Sequence, residues 1–235
     1  MSNFFGVKIH QQQPIVDAIR AVVAAKRRPT AARERVYASE ISACERRITF
    51  ALMGCEPDEA RADSPSAMMG DAIHLYLESL LTEAYPGRIE TEVRVVGDAV
   101  SGRIDALLLE DDGTLTVIDI KTVGAREWSA RSKIEEYVDQ ISVYAVLVGA
   151  ATGVILLVNR DTGEMEELRF EIDYARAEAL FAKARRLQEL ARNGFVAEAT
   201  AWGTDACRWC LYRRRCEVLD KTSVLVYTDD YEDSL

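Results

Sequence analysis

The feature that most constrains the fold of this chain is a stretch of alternating apolar and polar residues in its middle third. Alternation with period two predicts strands that each bury one face. The strands predicted in this way cover residues 89–96, 99–110 and 114–122, and short turns at 97–98 and 111–113 join them. Two successive hairpins at the centre of the chain therefore specify the middle of a β-sheet.

Helical periodicity flanks these strands on both sides. Helices are predicted over 11–27, 39–52, 66–84, 126–148 and 173–192, and two further strands over 154–158 and 164–171. The order is helices, three strands, a helix, two strands and a helix. This order indicates a mixed α/β fold with a mixed central sheet flanked by helices.

We expect three regions along the 235 residues. Residues 1–65 form an N-terminal helical region, 66–193 the α/β core, and 194–235 a cysteine-rich segment that ends in an acidic tail. The longest apolar stretch, residues 144–158, is interrupted and too short to span a bilayer. The N-terminus lacks the pattern of a secretion signal, so we expect a cytoplasmic protein with no membrane partner.

The charge of the chain limits its partners. With 29 Lys and Arg against 39 Asp and Glu, the net charge of −10 argues against a protein that coats duplex DNA without specificity. A narrow basic channel with acidic flanks is still compatible with this balance. Solvated surface charge is the alternative for any single arginine. If the chain binds DNA through such a channel, the candidate contacts are Arg126, Arg131, Arg213 and Arg214.

The turn at 111–113 predicts which residues of its two strands face each other. A three-residue hairpin loop commonly carries glycine in its last position, in the left-handed conformation. Such a loop pairs Glu110 with Thr114, and counting back along both strands places Asp105 opposite Asp119. Side chains that face each other in this way lie about 4.5–5.5 Å apart at Cβ.

Two carboxylates at this separation repel each other unless a cation or a proton lies between them. Lys121 lies two residues after Asp119 and therefore shares its face of the strand, whereas Ile118 and Ile120 point into the core. Oxygen ligands suit a hard cation such as Mg²⁺ or Mn²⁺. From the Asp-x-Lys triplet alone, a solvated surface hairpin is the better interpretation, because short motifs often occur by chance.

Three further motifs accompany this triplet in a fixed order along the chain. The four motifs are Gly70-x-x-x-His74 on a helix, Gly102-x-x-Asp105 and Asp119-x-Lys121 on strands, and Gln140-x-x-x-Tyr144 on the next helix. In this order they resemble the PD-(D/E)XK nuclease superfamily, specifically its RecB-like branch. The third motif has Asp where Glu is commoner in that family.

The resemblance implies a restriction-endonuclease-like nuclease core and a role for each motif. His74, Asp105, Asp119 and the carbonyl group of Ile120 would bind Mn²⁺ or Mg²⁺. Lys121 would be the catalytic lysine, acting with Asp105 and Asp119. Gln140 and Tyr144 would position the nucleic acid or the active site.

Five cysteines in a reducing compartment favour metal ligands or core residues over disulfides. Three of them form a C-x2-C-x5-C motif, and Cys44 and Cys55 are the candidates for a fourth ligand. One cysteine before the core and this motif after it resemble the RecB-like nucleases that hold a [4Fe–4S] cluster, such as the AddB-type and CRISPR-associated exonucleases. The implied ligands are Cys44, Cys207, Cys210 and Cys216, with Cys55 spare. Tetrahedral zinc is the alternative for the same thiolates.

The function expected from the resemblance is a metal-dependent DNA exonuclease in a bacterial, archaeal or phage-infected cell. The resemblance favours single-stranded DNA degraded from the 5′ end, in CRISPR adaptation or in phage recombination and repair. One alternative is a non-catalytic iron–sulfur DNA-binding or adaptor subunit that works with an integrase or recombination partner. A zinc-stapled regulatory protein is another.

Overall fold

A computed structural model describes residues 2–4, 7–9, 14–25, 31–58, 65–200 and 203–221. The strands are β1 (Ser2–Phe4), β2 (Val7–Ile9), β3 (Val36–Tyr37), β4 (Ile89–Val96), β5 (Val100–Leu109), β6 (Leu115–Val123), β7 (Thr152–Asn159) and β8 (Met165–Glu171). The helices are α1 (Pro14–Ala25), α2 (Glu45–Leu52), α3 (Pro65–Ala84), α4 (Ala125–Ala130), α5 (Ile134–Val148), α6 (Tyr174–Arg192), α7 (Asp205–Arg208) and α8 (Arg213–Lys221), with a 3₁₀ turn at Ala38–Glu40. The acidic tail, residues 228–235, lies outside the described residues.

Six strands form one mixed sheet; the sequence predicts a mixed sheet and five of these strands but not β3. Their order is β3-β5-β6-β7-β8, with β4 paired to the other edge of β5. The β6–β7 and β3–β5 pairs are parallel, and the rest of this sheet is antiparallel. Because parallel neighbours need a crossover, α4 and α5 connect β6 to β7.

The hairpin between β5 and β6 has the predicted register. The amide of Glu110 donates to the Thr114 carbonyl at 2.9 Å, and Gly113 has a φ of +84°. The pairing runs back from Leu109 opposite Leu115 to Ala106 opposite Ile118. It ends one residue before the two aspartates.

The sheet is buried on both faces. One face carries the main core, in which Val117 and Ile155 of the sheet pack with Ile141 of α5 and Leu187 of α6. The other face is covered by α3. Leu77 of this helix packs there with Ile120 and Val158 of the sheet in a smaller apolar cluster. Two helical layers therefore enclose the end of β6 that carries the predicted lysine.

The helix predicted over 126–148 is divided in two. Arg131 ends α4 with a φ of +54°, a left-handed conformation that a helix cannot continue. A new helix, α5, then begins at Ile134. Periodicity alone gave no sign of this break, because arginine is an ordinary helix residue.

The region around α2 joins the C-terminal segment in a separate apolar cluster. Phe50 and Cys55 pack there with Tyr212 and Cys216. The amide of Asp58 also donates to the Leu211 carbonyl at 2.7 Å. None of the helices in the described part of the chain is long and apolar enough to cross a bilayer.

Candidate active site

The centre of the site is a fork in the sheet, where β5 and β6 separate. On the edge of β5 that faces β6, residues 106–109 pair with β6 and residues 100–101 pair with β3. No described strand pairs with residues 102–105 on that edge. Because β6 has left the ladder, the Ile120 amide donates to Oδ2 of Asp105 at 2.7 Å rather than to a backbone carbonyl.

On β6, the side chain of Asp119 is held by α5 and by its own strand. Gln140 donates from Nε2 to Asp119 Oδ1 at 2.8 Å and accepts at Oε1 from Lys121 Nζ at 3.0 Å. Lys121 Nζ lies 2.6 Å from Asp119 Oδ2, a charge contact without hydrogen-bond geometry. One amide thus fixes both the carboxylate and the ammonium group.

The gap in the sheet is filled by the ring of Tyr144 from α5, which is 2% exposed. Its Oη accepts a hydrogen bond from the Arg103 amide at 3.3 Å. A Cβ atom at Gly102 would lie 2.6 Å from Cε1 and Oη of Tyr144. Any side chain at Gly102 would displace the ring. The glycine of one motif and the tyrosine of another are therefore explained by the same close packing.

Helix α3 brings two further groups to the fork. Nδ1 of His74 lies 3.7 Å from Oδ2 of Asp105, and Glu78 follows one turn later on the same helical face. One ligand atom each from His74, Glu78 and Asp105 lie within 4.8 Å of one another. The helix can approach β6 because of Gly70, whose added Cβ would lie 3.1 Å from Thr122 Oγ1.

The carboxyl group of Asp105 is perturbed by its surroundings. Burial raises its pKa, and the nearby Asp119 carboxylate adds to this effect, giving a value of about 7. The Ile120 amide and the Lys121 ammonium act in the opposite direction. At neutral pH in the metal-free site, one of these two carboxyl groups is therefore readily ionised, whereas ionising the second as well costs free energy.

The two groups from α3 respond to burial in ways that suit metal binding. Burial lowers the pKa of His74, which keeps the imidazole neutral and able to donate a lone pair. Burial, and then the Glu92 carboxyl group beside it, raises the pKa of Glu78. A divalent cation bound here would counteract the raised pKa of Glu78. It would also use the neutral imidazole of His74 as a ligand.

The residues present therefore fit a divalent cation. They offer carboxylate oxygens and one imidazole nitrogen, which suit Mg²⁺ or Mn²⁺. Glu78 contributes a buried oxygen that no hydrogen bond satisfies, and the buried Oδ2 of Asp119 has only its charge contact with Lys121. Like charges this close, with unsatisfied oxygens, are the arrangement that a bound cation stabilises.

The structure brings all the residues predicted for catalysis and metal binding to the fork, in two groups. Asp119, Lys121, Gln140 and Tyr144 form the group on the α5 side, and His74 and Asp105 the group next to α3. Ile120 contacts Asp105 through its amide, whereas the prediction assigns its carbonyl group to the metal. Sequence reasoning missed Glu78, although its position four residues after His74 was a usable signal.

The four arginines predicted to contact DNA lie on two helices, two of them at α4 and two in α8. Arg126 is exposed on α4, and Arg131 pairs with Glu166 and lies 5.1 Å from the Trp128 ring. In α8, Arg213 pairs with Glu217. The neighbouring Arg214 donates its amide to Asp58.

The cysteines lie in two segments that contact each other. Cys44 immediately precedes α2, and Cys207, Cys210 and Cys216 lie in the segment of α7 and α8. Arg46 donates from Nη1 to Cys216 Sγ at 3.2 Å. Among the residues that the structure describes, no group of three or more ligand atoms within 4.8 Å of one another contains a cysteine.

Comparison with known proteins identifies relatives of this chain. Residues 31–217 match the PD-(D/E)XK nuclease superfamily. The CRISPR-associated exonuclease Cas4 of Saccharolobus solfataricus is 26% identical over 187 residues, which cover 77% of this chain and 86% of the relative.

Solved structures share the fold. The crystal structure of SSO0001 matches with a TM-score of 0.60 at 22% identity, covering 89% of this chain and 98% of that one. LHK-Exo in complex with dAMP matches with a TM-score of 0.50 at 15% identity, covering 68% of this chain and 88% of that one.

Proposed function

Because the chain belongs to the PD-(D/E)XK nuclease superfamily and is therefore a metal-dependent nuclease, we propose that it is an exonuclease that degrades single-stranded DNA from the 5′ end. The observation that carries this proposal is the fork, where Asp105 and Asp119 flank a lysine that is held in place. One relative is named as an exonuclease, which supports cleavage from a DNA end rather than within the strand. Strand preference and polarity rest on the family resemblance.

His74, Asp105 and Asp119 are the residues that would hold the divalent cation. When bound, such a cation supplies a Lewis acid for the phosphate and lowers the pKa of water. Its charge would also offset the repulsion between the two aspartates, which in the free protein adds to the larger effect of burial in raising the pKa of Asp105.

Lys121 supplies a positive charge from the protein itself, and its side chain is held in position. Asp119 and Gln140 hold its ammonium group, and Nζ lies 5.1 Å from the centroid of the Tyr137 ring. These contacts restrict a side chain that would otherwise lose rotamer entropy when it binds a phosphate. An ammonium group fixed beforehand stabilises negative charge as it develops on the phosphoryl oxygens.

The test is a cleavage assay on single- and double-stranded DNA labelled at either end, with Mn²⁺, Mg²⁺ or EDTA. Wild-type protein is compared with Lys121→Ala and with Arg192→Ala, which removes an exposed charge at the end of α6. We expect metal-dependent release of short products from 5′-labelled single strands by wild type and Arg192→Ala only.

Other outcomes lead to other functions. DNA binding by the wild type without cleavage would support the non-catalytic adaptor instead. Cleavage that starts at the 3′ end, or that prefers duplex DNA, would overturn the proposed polarity or substrate while leaving the nuclease in place.

We further propose that Cys44, Cys207, Cys210 and Cys216 hold a [4Fe–4S] cluster. The support is the C-x2-C-x5-C spacing and the packing of the segment around α2 against α8. Burial is the main cause that raises the pKa of Cys210, and the thiols of Cys44 and Cys207 are close enough to add to it. Thiolates are the usual ligands of such clusters.

Metal analysis of anaerobically purified protein tests the cluster. We expect brown protein with about four iron atoms per chain, as the cluster requires. Colourless protein that contains zinc would overturn the cluster in favour of a zinc site.

The biological setting is also a proposal. The CRISPR-associated relative favours CRISPR adaptation, with an integrase as partner, over phage recombination and repair. Copurification with a coexpressed integrase would support this setting, and failure to copurify would argue against it.

A further inference from the structure

Glu78 is a buried acid for which neither the sequence motifs nor the proposed chemistry has a role. The residue is 6% exposed, no group donates a hydrogen bond to its Oε1 atom, and the Glu92 carboxyl group lies within hydrogen-bonding reach of its side chain. An unsatisfied buried carboxylate oxygen costs free energy, so such an atom calls for a ligand. Glu78 lies on α3 one turn after His74, so both side chains project from the same face of the helix.

The surroundings of Glu78 point to a cation as that ligand. Its ligand atom lies within 4.8 Å of those of His74 and Asp105, the one such group of three among the described residues. Asp119, by contrast, is engaged by Gln140 and Lys121 and is absent from this group. The three atoms in the group combine two carboxylates with an imidazole, a ligand set that divalent cations such as Mn²⁺ accept.

We propose that Glu78 is a further ligand of the divalent cation at the fork, so that α3 contributes two ligands beside Asp105 of β5 and Asp119 of β6. This inference rests on the proposed function only in taking the cation to be that of the nuclease. A bound cation would then tie α3 to the sheet through Asp105. Occupancy would therefore depend on α3 as much as on the strand motifs.

Mn²⁺ binding to the intact protein tests this proposal without any cleavage. Titration calorimetry measures affinity, and thermal unfolding with and without Mn²⁺ measures the stabilisation. We expect Glu78→Gln to weaken Mn²⁺ binding at least about 10-fold and to remove most of the stabilisation, because even residues that only orient metal ligands are worth about 10–100-fold.

Two control variants separate ligation from general electrostatics. Asp71→Asn removes an exposed carboxylate on α3 that is close enough to influence His74. Glu83→Gln removes an exposed carboxylate further along the helix. We expect both to bind Mn²⁺ within about 3-fold of wild type, since screened surface charges contribute little.

Wild-type affinity in Glu78→Gln, or an equal loss in Asp71→Asn, would overturn the proposal. If Glu78→Gln does not fold, Glu78→Asp provides the measurement: it keeps the charge but withdraws the oxygens, and it must also bind Mn²⁺ more weakly than Asp71→Asn. If Glu78→Gln loses Mn²⁺ binding but the wild type cleaves no DNA, the nuclease proposal fails and this one stands. A wild type that binds no Mn²⁺ would overturn both.

Discussion

The substitution Asp105→Asn in metal-free protein measures how much the ionised, buried Asp105 destabilises the fold. Burial, and then Asp119, raises the pKa of Asp105 from its ordinary value of 3.8 to about 7. An asparagine keeps an oxygen that can accept the Ile120 amide, which now donates to Oδ2 at 2.7 Å. The variant therefore removes the titration while retaining the hydrogen bond that anchors the side chain.

The direction in which pH changes the free energy of unfolding depends on whether the folded or the unfolded state binds the proton. Between pH 3.8 and about 7, folded protein retains a proton at Asp105 that the unfolded chain has released. The contribution of this group to the free energy of unfolding is therefore largest at low pH, and it is lost as the pH rises through about 7. Asparagine shows no such loss.

The size of the effect follows from the pKa. Between pH 5 and pH 8, folded Asp105 retains its proton over about two pH units, each worth about 1.36 kcal/mol, so wild type should lose about 3 kcal/mol relative to Asp105→Asn. For a chain of this size, 1 kcal/mol shifts the melting temperature by about 2–4 °C. The variant should thus gain about 6–12 °C on wild type over this range.

Thermal unfolding in EDTA at several pH values between 5 and 8 measures this difference. Asp111→Asn is the matched control, because its side chain is 92% exposed at the tip of the hairpin. The reasoning fails if the difference in melting temperature between wild type and Asp105→Asn is constant with pH. Mn²⁺ at pH 8 should reverse the ranking, since only the wild type keeps the aspartate ligand.

Three further predictions concern other parts of the account. Gly102→Ala should destabilise the fold by about 1–3 kcal/mol in urea unfolding, because its Cβ would lie 2.6 Å from the Tyr144 ring; wild-type stability would refute this packing. Gln140→Ala should lower the cleavage rate constant about 10–100-fold with little change in DNA affinity, since the amide orients both Lys121 and Asp119; a loss of affinity alone would contradict it. Cys210→Ala should lose the iron, whereas Cys55→Ala, which removes a buried cysteine outside the proposed ligand set, should retain it in metal analysis.

The part of the site that depends on local sequence was predictable. The loop ending in Gly113 determines the pairing of β5 with β6, so Asp105 and Asp119 could be located by counting from the turn. The spacing of Gln140 and Tyr144 likewise predicts one helical face, and both side chains do meet at Gln140 Nε2 and Tyr144 Oη, 3.4 Å apart.

The fork itself was not predictable, because it depends on tertiary packing. The residues between 102 and 105 alternate like any strand, and only the ring of Tyr144 and the pairing of β3 explain why β6 leaves the ladder there. Glu78 was missed for a related reason. Its burial depends on how closely α3 approaches β6, which the lack of a side chain at Gly70, beside Thr122, permits.

The terminal segments were also beyond sequence patterns. The hairpin of β1 and β2 and the short helices α7 and α8 contain too few residues for a period to be recognised. Contacts between distant segments, such as that of Asp58 with Leu211, hold the segment of α7 and α8 in place.

The central claim is that the carboxylates and the lysine at the fork hydrolyse DNA. The most direct measurement is the single-turnover rate of cleavage by Asp119→Asn, with Mn²⁺ saturating and with circular dichroism showing that the variant is folded. The account predicts a rate at least about 1,000-fold below wild type, because the variant loses both a cation ligand and the charge that holds Lys121. Cleavage at the wild-type rate would contradict it.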